Sequence, residues 1–111
     1  MQMRWQQASR QPVEIWLRGI IDDSDIEILW REAHHLLAQD CERIWIYLEQ
    51  MPRLDQKTLS FLADFVNLCH QHQVAVCCVV HQESLYQALL QQQIPVQRHD
   101  PERKINKTQL Y

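Results

Sequence analysis

Histidine and cysteine are the residue types in this chain that could bind a transition metal, but their spacing does not favour a site. His34 and His35 are adjacent in a predicted helix, so their side chains diverge by about 100° and do not chelate one ion together. Cys69, His70 and His72 fall within one turn, yet Cys69 is predicted to face the core. We therefore predict no metal site and no cofactor.

Acid–base and nucleophilic chemistry has little support either. Asp22, Asp23 and Asp25 form a dense group of carboxylates, but they precede a predicted helix, whose N-terminus favours negative charge. Cys77 and Cys78 are adjacent in a predicted strand, so their thiols point to opposite faces and do not easily bridge or share a metal. No Ser-His-Asp arrangement is recognisable. We predict that the protein is not an enzyme.

Composition and charge exclude further classes of function. The 111 residues contain one glycine, which rules out a glycine-rich phosphate-binding loop. The net charge of −3 gives no attraction to nucleic acid or anionic lipid. Residues 1–12 are polar and resemble no signal peptide, and the apolar runs are far shorter than the ~20 residues that cross a bilayer. We expect a cytoplasmic protein with no nucleic-acid partner and no membrane insertion.

The elements that must position any site follow from the apolar periodicity. Residues 2–8 predict a short edge strand, and residues 13–18 alternate with period two and end at Gly19. Residues 43–48 and 74–80 are almost continuously apolar, which is typical of buried parallel strands, and we expect the first of them to be covered on both faces. A short last strand is predicted from Pro95.

Three helices separate these strands. Ser24, with Glu27 three residues later, predicts a capping box for the first, Asp55 begins the second, and residues 83–93 form the third. The order β–β–α–β–α–β–α–β predicts an α/β fold whose mixed sheet begins with an antiparallel pair and continues with parallel crossovers. Residues 1–98 form the predicted domain and residues 99–111 a loose tail. Trp16 and Trp45 are expected to pack against helices, and Trp30 onto the sheet.

Two turns in this order resemble the STAS domain, the family of sulfate transporters and anti-sigma factor antagonists. One turn is Gly19-Ile20-Ile21-Asp22, between an early strand and the first helix; the other runs from Asp55 to Leu59, at the start of the second helix. The resemblance covers residues 13 to about 98. It implies a STAS-like mixed β-sheet with helices and a module that binds other proteins.

The chain departs from the family between Asp55 and Leu59. The family has Ser-Ser/Thr-Gly there, and the resemblance implies that the hydroxyl directly after the aspartate accepts phosphate from a partner kinase. Here the residues are Gln56, Lys57 and Thr58. Gln56 cannot accept a phosphate, so the phosphorylation switch is predicted to be lost or moved. Thr58 and Ser60 are the remaining hydroxyls: Thr58 or Ser60 is a displaced phosphosite, or Thr58 is merely the third residue of the helix.

Phe61, Phe65 and Leu68 recur at helical spacing beside the core-facing residues of the second helix. One interpretation is a wide core face; the other is an exposed apolar strip that binds a partner, as the helix does in the family. We predict the second. The function is then a non-enzymatic, anti-sigma factor antagonist-like interaction module whose partner is an anti-sigma factor kinase or a similar regulator.

An alternative function comes from Leu29-Trp30. The STAS subunit of the bacterial phospholipid-transport ABC complex, which binds the ATPase, has a similar Leu-Trp pair with an apolar strip in its first helix. It normally has a threonine after the aspartate, where this chain has Gln56. The resemblance thus also allows a permanent partner of the ABC ATPase type.

Overall fold

The computed structural model describes residues 1–6, 12–39, 41–51 and 54–98, which form one five-stranded sheet and three helices. The strands are β1 (Gln2–Gln6), β2 (Val13–Arg18), β3 (Arg43–Glu49), β4 (Ala75–Val80) and β5 (Val96–Arg98), and the helices are α1 (Asp23–Leu37), α2 (Gln56–Gln71) and α3 (Glu83–Gln91). Their order confirms the predicted fold class. The predicted tail lies outside the described residues. Among the described helices, none is long and apolar enough to cross a membrane.

The sheet has the strand order β1-β2-β3-β4-β5. As predicted, β1 is antiparallel to β2, and the other neighbours are parallel. Each connection between parallel strands therefore leads to the adjacent strand, always in the same direction across the sheet. Right-handed connections of this kind place every helix on the same face of the sheet. The core lies between that face and the helices; its central strand residues are Val13, Ile15, Leu17, Ile44, Ile46, Leu48, Val76, Cys78 and Val80.

The opposite face of the sheet, called here the helix-free face, holds the alternate side chains. Glu14 pairs in register with Trp45, and Trp16 with Tyr47, while Val79 follows on β4. The rings of Trp16 and Tyr47 stack with 5.1 Å between centroids. The prediction that Trp16 and Trp45 pack against helices is wrong. Alternation along a strand separates the two faces, but it does not say which of them the crossovers cover.

Helix α1 begins at Asp23, two residues earlier than an N-cap at Ser24 would place its first residue. The Asp22 carboxylate accepts a hydrogen bond from the Asp25 backbone N–H (2.9 Å), and the Asp25 carboxylate accepts one from the Asp22 N–H (3.0 Å). The capping box is thus formed by Asp22 and Asp25. The prediction of Ser24 and Glu27 is corrected because Ser24 uses its hydroxyl to donate to the Asp22 carboxylate, at 2.7 Å.

Candidate functional site

The N-termini of α1 and α2 lie side by side at the edge where β2 and β3 end. Both helices follow neighbouring parallel strands, so both turns emerge at the same edge of the sheet. The Lys57 Nζ lies 2.7 Å from Oδ1 of Asp23, which joins the first turns of the two helices. Open α/β sheets bind ligands at this carboxyl edge. The structure thereby brings the two turns noted in the sequence into one region.

The turn before α1 depends on a backbone conformation rather than on space. Gly19 has φ +91°, where side chains are strained, although a Cβ there would meet no atom within 4 Å. The turn buries Ile21 and leaves Ile20 75% exposed. Asp22 then caps the helix. The Ser24 hydroxyl and the Asp25 amide stabilise its ionised carboxylate, which lowers the pKa of Asp22.

The region that would hold the phosphorylation site is the first turn of α2. Asp55 is the N-cap, as predicted, and its carboxylate accepts a hydrogen bond from the Thr58 backbone N–H (2.9 Å). Thr58 is the third helical residue, and only 3% of it is exposed. Gln56 is exposed, and its side-chain amide donates to the Ser60 hydroxyl at 3.3 Å. Of the two hydroxyls in this turn, Ser60 is the one on the surface.

The predicted apolar strip is largely interior. Phe61 and Phe65 are 5% and 2% exposed, their rings are parallel with 5.9 Å between centroids, and Leu68 is half-buried. Trp30 of α1 packs edge-on against Phe61, with 4.8 Å between centroids. The expectation of an exposed strip is therefore wrong for both phenylalanines. Helix α1 lies beside α2 on the sheet, so α2 buries a second face against its neighbour as well as one against the strands.

A groove remains open between the two helices near their N-termini. Its volume is about 340 Å³. We call it the α1–α2 groove; its lining residues are Asp23, Ile26, Trp30, Gln56, Lys57, Ser60, Phe61 and Asp64. Half-buried Ile26 and Trp30 and buried Phe61 give it apolar walls beneath a polar rim. This combination is typical of protein interfaces.

Of the groove residues that α1 supplies, only Trp30 was singled out from the sequence, through the Leu29-Trp30 pair of the alternative function. Ile26 and Trp30 are four residues apart and belong to the apolar stripe of α1, whose buried members are Leu29, Ala33, Leu36 and Leu37. They lie at the margin of that stripe, so each is half-buried instead. Asp64 was not singled out because nothing in its local pattern distinguishes it from other polar residues of α2. This wall of the groove can be recognised only when it is known that α1 packs beside α2, and that depends on the strand order.

Reactive groups are not assembled in the described part of the chain. No group of three or more His, Cys, Asp or Glu there could hold a metal ion. Burial raises the pKa of Cys69 to about 12 and of Cys77 to about 11, and burial also raises the pKa of Cys78. These thiols are therefore protonated at neutral pH, which makes them poor nucleophiles.

Comparison with known proteins rests on the fold. No family model matches the sequence, and no curated protein does so either. The unphosphorylated form of the anti-sigma factor antagonist SpoIIAA superimposes with a TM-score of 0.75 at 11% identity, covering 99% of this chain and 98% of that one. The chain has the fold of SpoIIAA. The phosphorylated form of SpoIIAA, a cell fate determinant of Bacillus, gives a TM-score of 0.74 at 12% identity over 96% and 99% of the chains. The resemblance to the STAS domain is thus confirmed for the fold over nearly the whole chain.

Proposed function

We propose that this chain is a non-enzymatic protein-interaction module of the anti-sigma factor antagonist type, working in the cytoplasm, whose partner docks at the α1–α2 groove. The observation that supports it most is the groove itself, where half-buried Ile26 and Trp30 lie beside the exposed first turn of α2. The fold of SpoIIAA, an anti-sigma factor antagonist, is consistent with this. A partner of ordinary size would bury about 1,600 Å² in total, so the interface would extend beyond the groove.

Partner binding is proposed to be constitutive. Phosphorylation of a residue at the first position of α2 would add about −1.5 to −2 charges beside the groove. Gln56 occupies that position, and its neutral amide is already hydrogen-bonded to Ser60. The surface thus resembles an unphosphorylated site. Ser60 is the hydroxyl in this turn at which a displaced modification is best tested, because Thr58 is buried.

The proposed partner is an anti-sigma factor kinase or a similar soluble regulator. The second candidate is the ATPase of a phospholipid-transport ABC complex, and the place of Trp30 in the groove wall favours it, because an apolar aromatic wall suits a permanent interface. Affinity purification from extracts of the source cells distinguishes them. A soluble kinase recovered stoichiometrically supports the first function, and an ATPase recovered with its membrane permease supports the second.

The docking site is tested with two matched glutamines of α2. Gln56→Glu places a negative charge at the groove, and Gln71→Glu places the same charge at the other end of the helix, on an exposed residue outside the groove. With the recovered partner, we expect Gln56→Glu to raise Kd about tenfold or more, because a charge must be desolvated at the interface. Gln71→Glu should change Kd by less than about twofold.

Three results would contradict the proposal. Equal affinities of the wild type and Gln56→Glu would place the interface elsewhere. Mass spectrometry that finds phosphate on Ser60 after incubation with the partner kinase would show that the switch has moved, so that binding is not constitutive. Measured turnover of a substrate by the purified protein would exclude a purely structural module.

A further inference from the structure

The polar rim of the α1–α2 groove leaves one negative charge unbalanced. The Lys57 Nζ lies 2.7 Å from Oδ1 of Asp23, and the Gln56 amide donates to the Ser60 hydroxyl at 3.3 Å. The fifth polar residue of the rim is Asp64, which makes no hydrogen bond or ion pair with any residue in the described part of the chain. The groove thus presents a carboxylate that nothing in those ranges neutralises.

Local structure gives Asp64 no role of its own. Asp22 and Asp55 cap the helices, whereas Asp64 lies in the middle of α2, where the helix dipole does not favour a negative charge. The hydrogen bond and the charge of Asp23 raise the pKa of Lys57, and the charges of Asp55 and Asp22 raise it further. The lysine of the rim is therefore surrounded by other carboxylates and is not the partner of Asp64.

Asp64 and Trp30 flank the same end of the groove. Helices α1 and α2 run roughly parallel, because both connect neighbouring parallel strands in the same direction. The ion pair of Asp23 and Lys57 marks one level on both helices. Trp30 and Asp64 each follow it by seven residues, which is about 10 Å along a helix. Phe61, one turn before Asp64, packs against the Trp30 ring with 4.8 Å between centroids.

A carboxylate beside an aromatic wall suits a planar cation. A guanidinium forms two parallel hydrogen bonds to a carboxylate, is attracted to aromatic rings, and is more weakly hydrated than an ammonium group. We propose, on the basis of the docking function proposed above, that the end of the groove between Trp30 and Asp64 binds an arginine side chain of the partner. Apolar neighbours of that arginine then pack on half-buried Ile26.

An arginine at Asp64 leaves the expected effect of Gln56→Glu unchanged. The two positions are eight residues apart, which is about 12 Å along α2. Charges separated by that distance at the surface are largely screened at physiological salt. A charge at residue 56 therefore reports on docking near the N-termini of the helices, and a charge at residue 64 reports on the arginine.

Random peptides displayed on phage provide a probe that does not require the natural partner. They are selected on the immobilised full chain and then tested on Ser60→Tyr, whose ring fills the groove from an exposed position. Peptides that bind the wild type but not Ser60→Tyr are called groove peptides. We expect most groove peptides to contain an arginine next to an apolar residue, and no such enrichment in the other peptides.

Synthetic groove peptides then measure the pairing with Asp64. Asp64→Asn keeps the size of the side chain but removes its charge, and it should raise Kd about tenfold. The matched control, Glu42→Gln, removes the same charge from an exposed residue directly before β3, at the opposite edge of the sheet. It should change Kd by less than about twofold. Asp64→Arg should abolish binding, and glutamate in place of the peptide arginine should restore it, which a loss of structure would not allow.

The possible failures are distinguishable. Groove peptides that lack arginine, or an unchanged Kd with Asp64→Asn, would overturn the arginine site and leave the docking function standing. Equal losses with Asp64→Asn and Glu42→Gln would overturn it too, because the net charge of the protein would then attract the peptides. A selection that yields no groove peptide would overturn the groove as a docking site, and the arginine site with it.

Discussion

Replacing Phe65 with alanine tests whether the face of α2 that carries Phe61 and Phe65 belongs to the core or to the surface. Phe65 is 2% exposed and stacks on Phe61, and it borders a small void of about 20 Å³ together with Ile15 and Leu29. Truncation of a buried phenylalanine costs about 3–5 kcal/mol. Loss of the stacking contact with Phe61 adds to this cost, and the existing void limits how far the neighbouring residues can collapse into the new cavity. We expect the free energy of unfolding to fall by about 4 kcal/mol.

Urea unfolding followed by circular dichroism measures this loss. With a slope of about 2 kcal/mol/M, the midpoint should fall by about 2 M. Leu68→Ala, on the same face but half-buried, is the matched control and should lose about half as much or less. A loss below about 1 kcal/mol for Phe65→Ala would refute the assignment, because it would place the ring at the surface.

The loss of stability measured by urea unfolding also affects binding experiments on variants of Phe61 and Phe65. Serine at Phe61 or Phe65 removes buried rings that do not face solvent. Such variants should bind less partner mainly because less of the protein is folded, so their binding must be compared at a temperature where they remain folded. Substitutions at exposed Gln56 avoid this difficulty.

Two further predictions concern the turn before α1. Gly19→Ala should lower the free energy of unfolding by about 1 kcal/mol, measured by urea unfolding, because φ +91° is strained for alanine even though space is open; an unchanged midpoint would contradict the strain. Asp22→Ala should lower the melting temperature at pH 7, because it removes the capping box. Since the pKa of Asp22 is lowered in the folded protein, its ionised carboxylate stabilises the protein at pH values above the ordinary carboxyl pKa. The difference in melting temperature between the wild type and Asp22→Ala should therefore narrow as the pH falls below about 4. A difference in melting temperature that stays constant down to pH 2 would contradict this prediction.

The start of α2 was predictable because its signal is local. Asp55 caps α2 through a hydrogen bond to a residue three positions along, and this pattern is visible in the sequence. The cap of α1 was misplaced by two residues because Asp22, Ser24 and Asp25 all suit the position, and only the backbone geometry chooses among them. That Trp30 forms a groove together with the first turn of α2 was not predictable, because it depends on which helix lies beside α2.

Local patterns in the sequence were enough to predict the order of the elements, the antiparallel start of the sheet and the absence of a hydroxyl at Gln56, since periodicity, capping and residue identity are properties of short stretches of chain. Which faces are buried depends instead on how the elements pack together. The strand order β1-β2-β3-β4-β5 puts all three helices on one side, so that Phe61 and Phe65 enter the core and Trp45 lies on the face away from the helices. Burial depends on contacts between residues far apart in the chain, and a local pattern shows that a face is apolar without showing what will cover it.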